Sequence, residues 1–168
     1  PEDRKAVLEA EAKLQSLGFV EWLDDLPEED KKIIKESKVQ YYIPWRAVWS
    51  DSVTTPCRPV FDGSMRYPGG SPLNEILAKG TNNMNNLQEI QIRWFGKLHA
   101  YHTDISKCYN GVKLHKSHWC YQLYLFDEDL DPSKEPRTKV IKTCIYGINS
   151  SGNQAERAIR LTAETTAD

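Results

Sequence analysis

Asp104 is the residue around which a chemistry can be built. It closes the run Leu98-His99-Ala100-Tyr101-His102-Thr103. Alternation across that run predicts a strand, with Leu98, Ala100 and His102 on one side and His99, Tyr101 and Thr103 on the other. Asp104 then stands where the strand stops. Tyr109 follows five residues on, and Asn110-Gly111 supply turn chemistry. A carboxylate at a strand end suits a hard cation such as Mg2+, which takes oxygen ligands and keeps waters that a phosphate can displace. The plainer reading of Asp104 is a helix N-cap.

The charges around Asp104 bear on that choice. Residues 91–120 carry five bases (Arg93, Lys97, Lys107, Lys113, Lys116) against Asp104 alone, whereas residues 1–37 carry eleven acids and six bases. A lone carboxylate amid cations fits a metal–phosphate site, and it also fits an ordinary ion pair. The net charge of −2 excludes nucleic-acid binding by bulk charge, but the middle of the chain is locally basic enough to bind it.

A second cluster has ligand chemistry: His115-x-x-His118-x-Cys120, with His99 and His102 nearby in sequence. The spacing fits no standard zinc finger. Alternation along a strand would also put Cys120 and Trp119 on opposite faces.

The elements that must hold these residues follow from periodicity. Val7, Ala10, Leu14 and Leu17 predict an amphipathic helix over 4–17 ending at Gly18. Phe19–Leu26 reads as a connection anchored by Trp22. Pro27 and three acids open a short second helix that ends at Ser37-Lys38. Residues 39–49 predict a strand broken or kept at a sheet edge by Pro44, paired in a hairpin with Arg58–Asp62. Helices are predicted over 73–79 and 86–95. Strands over 119–126 and 137–145 form a second hairpin, and a final helix runs from Asn153 to about Ala163. Hairpins mixed with helices, and no βαβ repeat, give an α+β class.

The 168 residues, 39% hydrophobic and 27% charged, suit one globular domain, or one with a small appendage. No stretch approaches the length of a membrane span. Four cysteines with no Cys-x-x-Cys spacing, and no signal peptide, predict an intracellular chain with free thiols. The first residue is Pro1 rather than Met, which predicts a piece of a longer polypeptide.

The order of parts carries a resemblance. Tyr41-Tyr42-Ile43-Pro44, Arg58-Pro59-Val60-Phe61-Asp62-Gly63-Ser64, Ser71-Pro72-Leu73-Asn74-Glu75-Ile76-Leu77, Thr103-Asp104-Ile105 through Tyr109, and Tyr146-Gly147 with Ser150-Ser151, Ala155 and Arg160-Leu161 occur in that order. Together they resemble the fingers and first half of the palm of a reverse transcriptase, most like the polymerases of Pao/BEL long-terminal-repeat retrotransposons. The similarity covers roughly residues 4–163. It implies an N-terminal helical segment (1–37), a fingers-like unit (38–97), and a partial palm with the fingers-return hairpin (98–168).

The resemblance also implies roles. Asp104 would ligate both Mg2+ ions of a two-metal site, and the Ile105 carbonyl one of them. Arg58 would reach the triphosphate as a fixed, always-charged fork. The backbone N–H groups of Lys107 and Cys108 would lie along the phosphates. Tyr109 would close the space a ribose 2′-hydroxyl needs, and Tyr146 would stand beside the incoming nucleotide. Without the resemblance, Arg58 reads as a solvent-facing strand residue and Tyr109 as a core tyrosine. The implied partners are an RNA or DNA template-primer, a deoxynucleoside triphosphate, and the remaining palm and thumb; no membrane is involved.

The sequence departs from that pattern in three places. A hairpin bearing paired aspartates is absent from the 168 residues, and Asp168 has no neighbouring Asp to substitute for it. Gly152 stands where the family has Pro. No lysine occurs between Ala47 and Cys57. The chain alone is therefore expected to be inactive as an RNA-directed DNA polymerase. The alternative is a non-catalytic module, retained by a host, that binds nucleic acid or another protein.

Overall fold

The computed structural model describes residues 2–52 and 55–166. Asp168 lies outside the described residues. The architecture is α+β. Helix α1 (Glu2–Ser16) leads into strand β1 (Val20–Trp22), a 3-10 turn (Leu23–Asp25) and helix α2 (Glu28–Lys35). Strands β2 (Trp45–Trp49) and β3 (Cys57–Phe61) follow, then helices α3 (Leu73–Ile76) and α4 (Leu87–Phe95). A 3-10 helix (Lys116–Tyr121), strands β4 (Leu123–Phe126) and β5 (Arg137–Ile141), and helix α5 (Ser151–Thr165) complete the order. No helix among the described residues is long and apolar enough to cross a membrane.

Two small antiparallel sheets form, one in the order β1-β5-β4 and one from β2 and β3. β1 occupies the stretch expected to be a connection. Val20 and Trp22 point inward while Glu21 stays half-buried, so three residues suffice to pair with β5. Pro44 does interrupt its strand: Tyr41 and Ile43 bond across to Cys120 and Leu123, and the β2 ladder begins only at Trp45. In the β2–β3 hairpin Val48 faces Arg58, and Ala47 faces Pro59, which has no N–H to give to a ladder.

The core joins α1 to both sheets through Val7, Val20, Trp22, Ile43, Phe61, Tyr124 and Ile141. One charged cluster lies inside it. Glu11 and Lys139 are each only 2% exposed. Lys139 Nζ donates to Glu11 (2.8 Å) and Gln15 (2.9 Å), and the Tyr124 hydroxyl donates to the same Glu11 oxygen. The ammonium also lies 4.2 Å from the Trp22 ring centroid. The second Glu11 oxygen is buried without a partner among the described residues.

Two further elements differ from expectation. Residues 116–121 form a 3-10 helix rather than the start of a strand, so Trp119 and Cys120 are both buried against Leu26, Ile34 and Leu123 instead of facing apart. Its start is fixed locally, where the His115 ring accepts the Ser117 N–H. The run 98–103 forms no strand. It is irregular and exposed, with Leu98 at 98% and Tyr101 at 87%. Alternation supplies a face, but a strand also needs a ladder partner, and none of the described residues pairs with this run.

Candidate nucleotide site

Asp104 sits at the end of that irregular run, just before a series of turns. The Cys108 N–H donates to the Ile105 carbonyl (3.2 Å), the Gly111 N–H to Lys107 (3.0 Å) and the Val112 N–H to Tyr109 (3.0 Å). Lys107 takes a left-handed φ of 53°, which reverses the chain. Beyond the turns the backbone docks on the extension of β5, where the Cys144 N–H donates to Val112 and the Leu114 N–H to Lys142. No helix follows Asp104 directly, and its carboxylate accepts no bond among the described residues. The N-cap reading therefore fails, because there is nothing to cap.

The turns carry Tyr109 back against Tyr146. Their ring centroids lie 4.3 Å apart at 64°, an edge-to-face contact. Tyr109 is half-buried and Tyr146 is exposed. Tyr146 also lines a cavity of about 320 Å3 together with Arg58. Arg58 lines a second cavity, of about 530 Å3, together with Lys107. Tyr109 lines a third, of about 590 Å3, with Cys108, Lys79, Asn149 and Gly152. So Arg58 is shared by the cavities of Lys107 and Tyr146, and Tyr109 is tied to them by its ring contact with Tyr146; Asp104 and Ile105 line none of the three. Arg58 is exposed, and its guanidinium makes no bond among the described residues. The Cys108 N–H is already committed to Ile105, which leaves the Lys107 N–H as the free donor of that pair.

The loop bearing Tyr146 is held by residues that sequence reading left without a role. Gly147 has φ 92°, and a Cβ there would lie 1.9 Å from the Phe61 carbonyl oxygen, so only glycine fits. Asn74 Nδ2 donates to the Gly147 carbonyl (2.9 Å) and to the Ser64 hydroxyl (2.8 Å), while Asn74 Oδ1 accepts the Asn149 N–H (2.8 Å). Asn149 Nδ2 returns a bond to the Asn74 carbonyl (2.6 Å). The two asparagines clamp α3 to the Tyr146–Asn149 loop. Nothing in composition marks them, because Asn is common in turns. Gly152 faces the Tyr109 hydroxyl, and a Cβ there would meet it at an ordinary 3.8 Å.

The histidines gather no ligand set. His115 Nδ1 lies 2.8 Å from Ser117 Oγ, and the Cys120 thiol is buried and donates to the Ser117 carbonyl. Among the described residues no three His, Cys, Asp or Glu side chains group to hold a metal. For Mg2+ the donors on offer are the exposed Asp104 carboxylate and the Ile105 carbonyl, whose second lone pair is free. One or two protein oxygens fit an ion that arrives with a nucleotide and fills its other positions with phosphate and water.

No protein-family model matches the chain, and no curated protein sequence matches it.

Proposed function

We propose that the chain supplies the nucleotide-binding fingers and first half of the palm of a retroelement RNA-directed DNA polymerase. In this reading residues 1–37 brace the fingers unit 38–97, and 98–168 form the partial palm. One observation carries it: Arg58 shares one cavity with Lys107 and another with Tyr146, whose ring meets Tyr109. Those are four of the residues that the ordered motifs assign to a triphosphate and its sugar. Asp104 and the Ile105 carbonyl would hold Mg2+, which when bound neutralises the triphosphate and activates the attacking hydroxyl. Arg58 and Lys107 bind phosphate, Tyr109 limits the sugar, and the Asn74–Asn149 clamp orients Tyr146.

A second reading has its own support. Trp94, Phe95 and Tyr101 are exposed on the same run as Arg93 and Lys97. Aromatic rings interleaved with cations suit single-stranded nucleic acid without catalysis. Calorimetric titration with Mg2+ and thymidine triphosphate separates the two. The polymerase reading expects saturable binding that Arg58→Ala weakens about tenfold, the worth of one charge-assisted hydrogen bond. Binding of an oligothymidylate with no measurable nucleotide binding favours the non-catalytic module.

A further inference from the structure

We propose that the cavity between the end of α3, the 3-10 helix 116–121 and the first turn of α5 binds a small neutral amide or lactam. It has a volume of about 550 Å3. Gln122, 5% exposed, lines it. Its Nε2 donates to the Ile141 carbonyl (3.3 Å) and the Thr143 carbonyl (2.9 Å), which fixes the amide plane. Its Oε1 accepts nothing from the described residues. Ser151, 3% exposed, lines the same cavity, and its hydroxyl has no partner among the described residues. Both side chains line the cavity with these atoms uncommitted, so the pair is free to take a ligand.

The chemistry of that ligand follows from the wall. A fixed acceptor on Gln122 calls for an N–H, and the Ser151 hydroxyl can give its proton to a C=O. An N–H beside a C=O is an amide. No Asp, Glu, Lys or Arg lines the cavity, so a charged ligand finds no counter-ion. Leu77, Leu114, Ile148 and Tyr121 supply apolar surface for a flat ring. Of the other polar side chains lining it, Gln154 accepts the Cys144 thiol (3.0 Å) and donates to Ser150 (3.1 Å), while the His118 ring is exposed.

Benzamide is the probe, followed by amide chemical shifts of the 168-residue chain. Saturable shifts at Gln122 and Ser151 are expected, with a Kd on the order of 1 mM for so small a molecule. Ser151→Ala should weaken binding about tenfold, and toluene should bind at least about tenfold more weakly than benzamide. Ala78→Trp fills the cavity from an exposed rim position and should abolish the shifts even where Ser151→Ala fails to fold. Absence of saturable shifts overturns the proposal, as does binding that survives Ala78→Trp, that Ser151→Ala leaves unchanged, or that toluene matches. The cavity shares no residue with Asp104, Arg58 or Tyr109, so it stands or falls apart from the proposed function.

Discussion

The Tyr109 and Tyr146 rings meet edge to face, with centroids 4.3 Å apart. One ring comes from the turns after Asp104 and the other from the loop before α5, so the contact joins two motifs that are distant in sequence. In a polymerase that contains this chain together with a paired-aspartate hairpin, Tyr109→Ala should raise ribonucleotide incorporation relative to deoxynucleotide. Tyr109→Phe keeps the ring and should leave the ratio nearly unchanged. Primer extension with competing nucleotides measures it, and unchanged discrimination in the alanine variant would refute the steric role.

The loop that presents Tyr146 rests on Gly147 and Asn74. Gly147→Ala drives a Cβ into the Phe61 carbonyl at a left-handed φ. Urea unfolding should show a loss of about 3 kcal/mol or more. Asn74→Ala removes bonds to Gly147, Ser64 and Asn149. It should cost about 2–3 kcal/mol.

How much of this could be read from sequence differs by element. Helix α4 runs almost where periodicity places it because Asn86 caps it, its side chain accepting the Gln88 N–H. The β2–β3 hairpin forms where aromatic and β-branched residues favour a pleated surface, with Trp45 opposite Phe61 and Arg46 opposite Val60. The run 98–103 failed for a reason no local pattern contains: pairing depends on a second strand. β1 was hidden for the converse reason, since three residues carry too little alternation to register until β5 lies beside them. At the candidate site Arg58, Lys107, Tyr109 and Tyr146 come only with the resemblance; by residue type alone Arg58 reads as a solvent-facing strand residue and Tyr109 as a core tyrosine. The asparagine clamp was invisible because its bonds link α3 to the loop before α5.

The buried Glu11–Lys139 pair pins α1 to the β1-β5-β4 sheet. Glu11→Ala leaves an ammonium buried with only Gln15 to receive it, and should cost about 3–5 kcal/mol. The double variant Glu11→Leu, Lys139→Met removes both charges. It should recover much of that loss, short of the share of the Tyr124 hydroxyl, which keeps no partner. Denaturant midpoints of the three proteins test this, and equal losses in the single and double variants would contradict it.

Cys57, Cys120 and Cys144 are buried, whereas Cys108 is half-buried beside the candidate site. The native chain should therefore show one fast-reacting thiol with an aromatic disulfide reagent and four after denaturation. Burial pushes the Cys144 thiol up to about 11. Its folded form holds a proton that the unfolded chain releases from the ordinary thiol value upward. The Cys144 contribution to stability should thus decline as pH rises above that value and level off beyond about 11, while the Tyr124 hydroxyl, also pushed up by burial, continues the decline at higher pH. Cys144→Ala should flatten that decline in pH-dependent unfolding.

The central claim is that Asp104, the turns 105–111 and Tyr146 receive a metal-bound nucleotide. Mn2+ with thymidine triphosphate, titrated into the isotope-labelled chain, tests it most directly, because the paramagnetic ion broadens resonances near it. The account predicts broadening centred on Asp104–Tyr109 that reaches Tyr146 and is lost in Asp104→Asn. Broadening centred on the acidic surfaces of α1 and α2, or unchanged by Asp104→Asn, would contradict it.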